Sequence, residues 1–219
     1  MNRRNLLVTL AASLATSACS NNVTVKTIGS IFDSSFGKGA AFDPDYPDKL
    51  PYASISVSQN GLKRSLLVLG KVEGDELHWI SADRGVLITR HGRLVRTVGF
   101  TENLAKTDFS GEDFVTGKVF PNLENQSTAA RIVDLSPGNR YGIKIESSLE
   151  MIGKESIAIG SHRHETTRID EHCVAPLLRW KYTNSFWLDA QGQIWRSTQH
   201  FAPTAPVMSI EVTKPYRAS

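Results

Sequence analysis

The chain has 219 residues, 40% of them hydrophobic and 21% charged, enough apolar material for one substantial core or two small ones. A formal charge of +3 supplies no basic field of the kind nucleic acid requires, so no nucleic-acid partner is expected. Past the first twenty residues, no segment approaches the ~20 consecutive apolar residues of a membrane-crossing helix.

The N-terminus is the most informative stretch. Arg3 and Arg4 form a short positive region, and Leu6 to Leu14 is an apolar run of signal-peptide length. Thr16-Ser17-Ala18 then leads into Cys19. That outline predicts a bacterial lipoprotein signal over 1–18, cut before Cys19, with Cys19 as the lipid attachment site. Thr16 departs from the Leu, Val or Ile usual three positions before the cysteine. The alternative is ordinary secretion, with cleavage near Ser13-Leu14-Ala15 or after Ala18. Ser20, in place of Asp, favours the outer membrane over the inner. Loss of Arg3 and Arg4 leaves 23 basic against 22 acidic residues, close to neutral.

Cys19 and Cys173 are the only cysteines. With Cys19 acylated, Cys173 is expected to be a small buried apolar residue. A Cys19–Cys173 disulfide competes only if lipidation fails.

Residues 19–50 read as a tether, a short helix around 24–36 from the spacing of Val25, Ile28, Ile31, Phe32 and Phe36, and an extended connector set by Pro44, Pro47 and Pro51. Residues 51–219 read as a β domain. Ala53, Ile55 and Val57 alternate with Ser54, Ser56 and Ser58 as a half-buried strand, and Asn60-Gly61 predicts a hairpin. Strands are expected over 62–72, 76–81, 86–90 and 93–98, with a helical turn at Asn103-Leu104-Ala105. Further strands are expected over 130–135, 141–151, 156–169, 179–188, 194–201 and 207–212. The fold class is therefore mainly β, an antiparallel meander forming a barrel or two packed curved sheets, with a short N-terminal helix.

Several stretches resemble one family. They are Tyr46-Pro-Asp-Lys-Leu-Pro-Tyr-Ala-Ser54, Leu67-Val-Leu-Gly70, His78-Trp-Ile-Ser81, Val86 through Gly99 with Asn103-Leu104, Asn184-Ser-Phe-Trp-Leu-Asp189 and Gln193-Ile-Trp-Arg-Ser197. They are similar to the YjbF/GfcB family of lipoproteins associated with group 4 capsule and exopolysaccharide production. The resemblance covers nearly the whole mature chain. It implies an outer-membrane lipoprotein of mainly β structure, with Cys19 as its lipidated cysteine, and it carries over no catalytic residue.

Two constellations could carry chemistry. Trp79, Trp187 and Trp195, with Asn184, Asp189 and Arg196, are candidate glycan contacts, since sugars stack on aromatic faces and bond to nearby polar groups. Core and cross-strand packing is the competing role for such rings. Phe186 and Trp187 are adjacent, so one should face away from the main core. His162, His164 and His172 are the weak metal candidates; their spacing matches no established site, so no metal or cofactor is expected. Acidic pairs such as Glu73/Asp75 and Glu112/Asp113 sit in turn-like stretches, where acids are ordinary turn formers. No nucleophile elbow or phosphate loop is present. The expectation is a non-enzymatic accessory factor in capsule or exopolysaccharide assembly or export, lipid-anchored at the periplasmic side of the outer membrane. Its partners would be the polysaccharide or export-machinery proteins. A periplasmic polysaccharide-binding module, soluble or anchored, is the alternative, and a polysaccharide-modifying enzyme the second.

Overall fold

The computed structural model describes residues 46–62, 64–82, 84–111 and 128–218. The signal segment, Cys19, the helix expected around 24–36 and the Glu112/Asp113 pair lie outside the described residues.

Among the described residues, twelve strands form one antiparallel sheet. They are β1 (Ser54–Gln59), β2 (Ser65–Glu73), β3 (Glu76–Ile80), β4 (Val86–Arg90), β5 (Arg93–Val98), β6 (Asn103–Phe109), β7 (Thr128–Ser136), β8 (Arg140–Ile159), β9 (His162–Ala175), β10 (Trp180–Leu188), β11 (Ile194–Gln199) and β12 (Met208–Lys214). Every ladder joins strands consecutive in the chain, apart from the β1–β12 pair that brings the two ends of the domain together. The result is an up-and-down barrel, nearly closed, with its seam between β5 and β6. Side chains bridge that seam. The Thr107 hydroxyl donates to the Val95 carbonyl at 2.9 Å, and Leu104 N–H donates to Thr97 Oγ1 at 2.9 Å. Side chains thus bond backbone groups across the seam.

Several turns follow directly from sequence. His91-Gly92 has φ of 47° and 86° and sets Arg90 opposite Arg93, the left-handed pair a two-residue hairpin needs. Asn60-Gly61 also turns the chain, with Leu62 N–H bonded to Gln59 C=O at 2.9 Å. There, however, the β1–β2 ladder resumes only at Val57 and Ser65, so the connection is longer than a two-residue hairpin.

Other expectations are corrected. Asn103-Leu104-Ala105 is strand, because Asn103 closes the preceding turn on Phe100 (Oδ1 from Phe100 N–H at 3.1 Å, Nδ2 to its carbonyl at 2.7 Å), and β6 then pairs with β7. Residues 156–169 are not one strand: the chain reverses at Gly160, whose φ is 57°, making β8 and β9 a single long hairpin. The gap expected after Met151 is instead a bulge at Ile152 within β8. The connector is not wholly extended, since Tyr46–Lys49 forms one helical turn, α1, in which Pro47 occupies a position whose N–H needs no helical partner. Finally, β1 is buried on both faces rather than one. Its outer serines are covered and bonded, Ser54 to Thr213 at 2.9 Å and Ser56 to Arg64 at 3.2 Å.

The barrel interior is filled. Ile55, Leu67, Trp79, Leu87, Leu135, Ile143, Ile145 and Met208 belong to the main core, and Phe201 enters it from the β11–β12 connection to meet Phe100 edge-on at 6.3 Å. Each fully buried Leu, Ile or Phe contributes about 1.5–3 kcal/mol. A second cluster holds Leu149, Ile169, Phe186, Leu188 and Ile194. Outward positions of β6 and β8 carry exposed ion pairs, Lys106–Asp108 at 2.6 Å and Lys144–Glu146 at 2.7 Å. A packed, mostly apolar interior with a charged exterior is the reverse of the polarity of strands that line a membrane barrel.

Candidate functional site

The inner face of β9 places Cys173 in the main core and Ile169 in the second, with Glu171 between them. Glu171 is 2% exposed. It accepts two hydrogen bonds from Arg93 (2.9 and 3.0 Å), one from Arg131 (2.8 Å) and one from Asn184 Nδ2 (2.9 Å). Arg131 also donates to the Tyr182 hydroxyl at 3.0 Å, and Arg93 lies over the Phe186 ring at 5.2 Å. Burial alone would raise the Glu171 carboxyl, but the Arg131 and Arg93 guanidiniums outweigh it and hold the group well below the carboxylate range. This network ties β5, β7, β9 and β10 together across the interior.

The candidate glycan contacts fall in three places. Asn184 belongs to the buried network; besides Glu171 it accepts the His200 N–H at 2.8 Å. Trp187 and Arg196 lie side by side on the outer face, beneath the tip of the β8–β9 hairpin. There Trp187 packs against Ile157 and Ile159 and donates to Glu155 at 2.7 Å, while Arg196 donates to the Ala158 carbonyl at 2.8 Å and to Glu211 at 2.9 Å. Phe186 and Trp187 do face opposite sides, yet both are buried, because the hairpin tip covers the outer one.

Trp79 and Trp195 come together. Both wall a pocket at one end of the barrel, completed by Thr89, Gln193, Ser197 and Tyr216 among others. Trp79 is held in the core by a 2.8 Å hydrogen bond to Thr89. Trp195 is the extra residue of a bulge in β11, which re-aims its ring. Asp189 fixes it: Oδ1 accepts from Gln191 and Gln193 N–H at 2.9 Å, and Oδ2 accepts from Trp195 Nε1 at 2.8 Å. His164 stacks on the Trp195 ring at 3.8 Å.

The three histidines are separated by function. His162 contacts Asp48 of α1 at 3.2 Å, His164 is on Trp195, and His172 bridges Glu150 (2.8 Å) and Thr183 (3.1 Å). Among the described residues, no group of three or more His, Cys, Asp or Glu side chains is placed to hold a metal. A second concavity, between β6, β7 and β8, is wider and lined by Ser110, Thr128, Ser148 and His172. Ser147 reaches it with a buried hydroxyl that has no hydrogen-bond partner among the described residues. Sequence reading missed the Arg93–Glu171–Arg131 network. Its only trace was charged residues at inward positions of strands.

The fold and its sites define a filled antiparallel β-barrel with a small aromatic pocket at one end. The chain belongs to the YjbF family, described as group 4 capsule polysaccharide lipoproteins (GfcB, YjbF), whose model matches residues 24–213. It is 29% identical over 192 residues to the lipoprotein YjbF of Escherichia coli strain K12, covering 84% of this chain and 85% of that protein. It is 28% identical over 166 residues to the lipoprotein GfcB of the same strain, covering 75% and 76%. The crystal structure of the lipoprotein YmcC of Escherichia coli K12 superposes with a TM-score of 0.77 at 23% identity, over 91% of this chain and 99% of that one. That likeness establishes the shared fold.

Proposed function

We propose that this protein is a lipid-anchored accessory factor of capsule or exopolysaccharide assembly or export, held through Cys19 on the periplasmic side of the outer membrane. The observation that carries the reading is the family match, whose span opens at residue 24, shortly after Cys19. The charged barrel exterior supports an anchor made of lipid alone, with the domain standing in water.

The role is binding rather than catalysis. Glu171, the acid of the interior network, is neutralised by two guanidiniums, accepts a hydrogen bond from the Asn184 amide and has no proton to exchange near neutral pH. His162 and His172 lie on exposed strand faces, engaged by neighbouring acids.

The test is complementation. In a strain lacking this protein, the full chain should restore surface polysaccharide, and Cys19→Ala should fail to do so while accumulating as folded protein. Undiminished surface polysaccharide in the deletion strain would overturn the reading.

A further inference from the structure

We infer that the pocket walled by Trp79, Trp195 and Tyr216 binds a single glycosyl unit of a polysaccharide, an inference that rests on the function proposed above. The cavity volume is about 60 Å³. By that measure it holds roughly four waters. Those waters take about 120 Å³ of liquid volume, less than a whole hexose unit, so the pocket takes in one face or edge of a single ring and not a chain of rings. Recognition would therefore fall on a terminal residue or a branch sugar.

The chemistry of the wall fits a sugar better than a hydrocarbon. Ile55, Leu77 and the aromatic rings offer surface for the C–H face of a pyranose. Two hydroxyls and an amide enter the same space. Thr89 accepts from Trp79 at 2.8 Å and Ser197 accepts from Gln199 at 2.8 Å. Among the described residues neither hydroxyl donates its own proton to a protein acceptor. Gln193 donates one amide N–H to the Ile194 carbonyl at 2.8 Å, and its amide oxygen can accept from a ligand. An apolar occupant would strip water from these groups and return nothing.

The wall is also fixed in advance. Asp189 and His164 hold Trp195, and Thr89 holds Trp79, so these rings lose little freedom on binding. Tyr216, on the segment after β12, is 41% exposed and stands at the pocket as its one solvent-facing ring.

The experiment is a titration of the mature full chain with methyl glycosides of glucose, galactose, fucose and N-acetylglucosamine, read by tryptophan fluorescence and by saturation transfer to the sugar protons. At least one glycoside should bind saturably in the millimolar range. Tyr216→Ala should weaken it about tenfold, the scale of losing one good contact. Ser197→Val should weaken it comparably, and Lys106→Ala, on the exposed face of β6, should leave it unchanged. Tyr216 is on an exposed tail, so its variant should fold even if the buried ones do not. The inference is overturned if no glycoside saturates, if Tyr216→Ala binds like wild type, or if the pocket takes toluene or indole while rejecting every glycoside. A protein that restores surface polysaccharide through Cys19 yet fails these titrations would retain the accessory role and lose the pocket.

Discussion

Arg93 and Glu171 lie 78 residues apart and meet through two hydrogen bonds of 2.9 and 3.0 Å inside the barrel. Arg93 belongs to β5, at the seam, and Glu171 to β9, so their pairing spans the interior and not a ladder. Arg131 and Asn184 complete the carboxylate's shell. Glu171→Ala would take from the buried Arg93 and Arg131 the carboxylate that both of them hold. The expected cost is about 3–5 kcal/mol, read as a lowered urea midpoint. Removing Glu146 from its exposed pair with Lys144 should leave the midpoint where it is. Equal effects would contradict the role given to the network.

The strand plan was legible wherever a turn carried Gly beside Asn, His or Asp. Val86–Arg90 and Arg93–Val98 emerge from the pattern with the bounds they have in the structure. It failed where the turn was marked weakly. Gly160-Ser161 sits between alternating residues that continue strand-like on both sides, so nothing local distinguishes the reversal from a bulge. Asn103 misled for the opposite reason: a turn-closing Asn followed by Leu and Ala reads as a helix start until β7 is there to pair with it. The pocket was half legible. Trp79 and Trp195 were candidates by residue type, but their meeting depends on the bulge that turns Trp195, and no glycine at Ile194, Trp195 or Arg196 marks that bulge in the sequence.

Acid should weaken the fold in two stages. Burial lowers His200, and burial with the nearby His162 lowers His164, both from 6.5. Glu171 is lowered from 4.5 because its guanidiniums outweigh burial; Glu102 likewise, because Thr204 and Arg140 outweigh it. A lowered native pKa means that the unfolded chain binds protons first, so stability rises with pH. The stability these groups contribute is complete above 6.5, begins to fall below it as the histidines protonate in the unfolded chain, and falls further below 4.5. Urea midpoints from pH 8 to pH 4 should trace this decline, and His200→Phe should remove part of the upper stage. A flat profile between pH 7 and pH 5 would contradict it.

Gly92 and Gly61 both have positive φ, 86° and 70°, yet they should not respond alike to alanine. A Cβ at Gly61 meets nothing within 4 Å, whereas one at Gly92 would lie 2.8 Å from the Ile194 Cβ. Gly61→Ala should cost only the left-handed strain, about 1–2 kcal/mol. Gly92→Ala should cost clearly more, since Ile194 belongs to the second core and forms part of the pocket. Thermal melts of the two variants make the comparison.

Cys173 is free, 2% exposed and packed in the main core. Burial, with the Glu171 charge nearby, pushes its thiol up to about 11. It should resist a thiol reagent at pH 8 in the folded protein and react promptly in urea. Rapid labelling without denaturant would show that the core opens locally.

The most direct test of the central claim is the intact mass of the mature protein from a membrane fraction, beside that of a Cys19→Ala variant. A lipid-anchored protein gives a chain beginning at residue 19 with the added mass of acyl groups, absent from the variant. An unmodified chain with a free N-terminus, recovered in the periplasm, would contradict it.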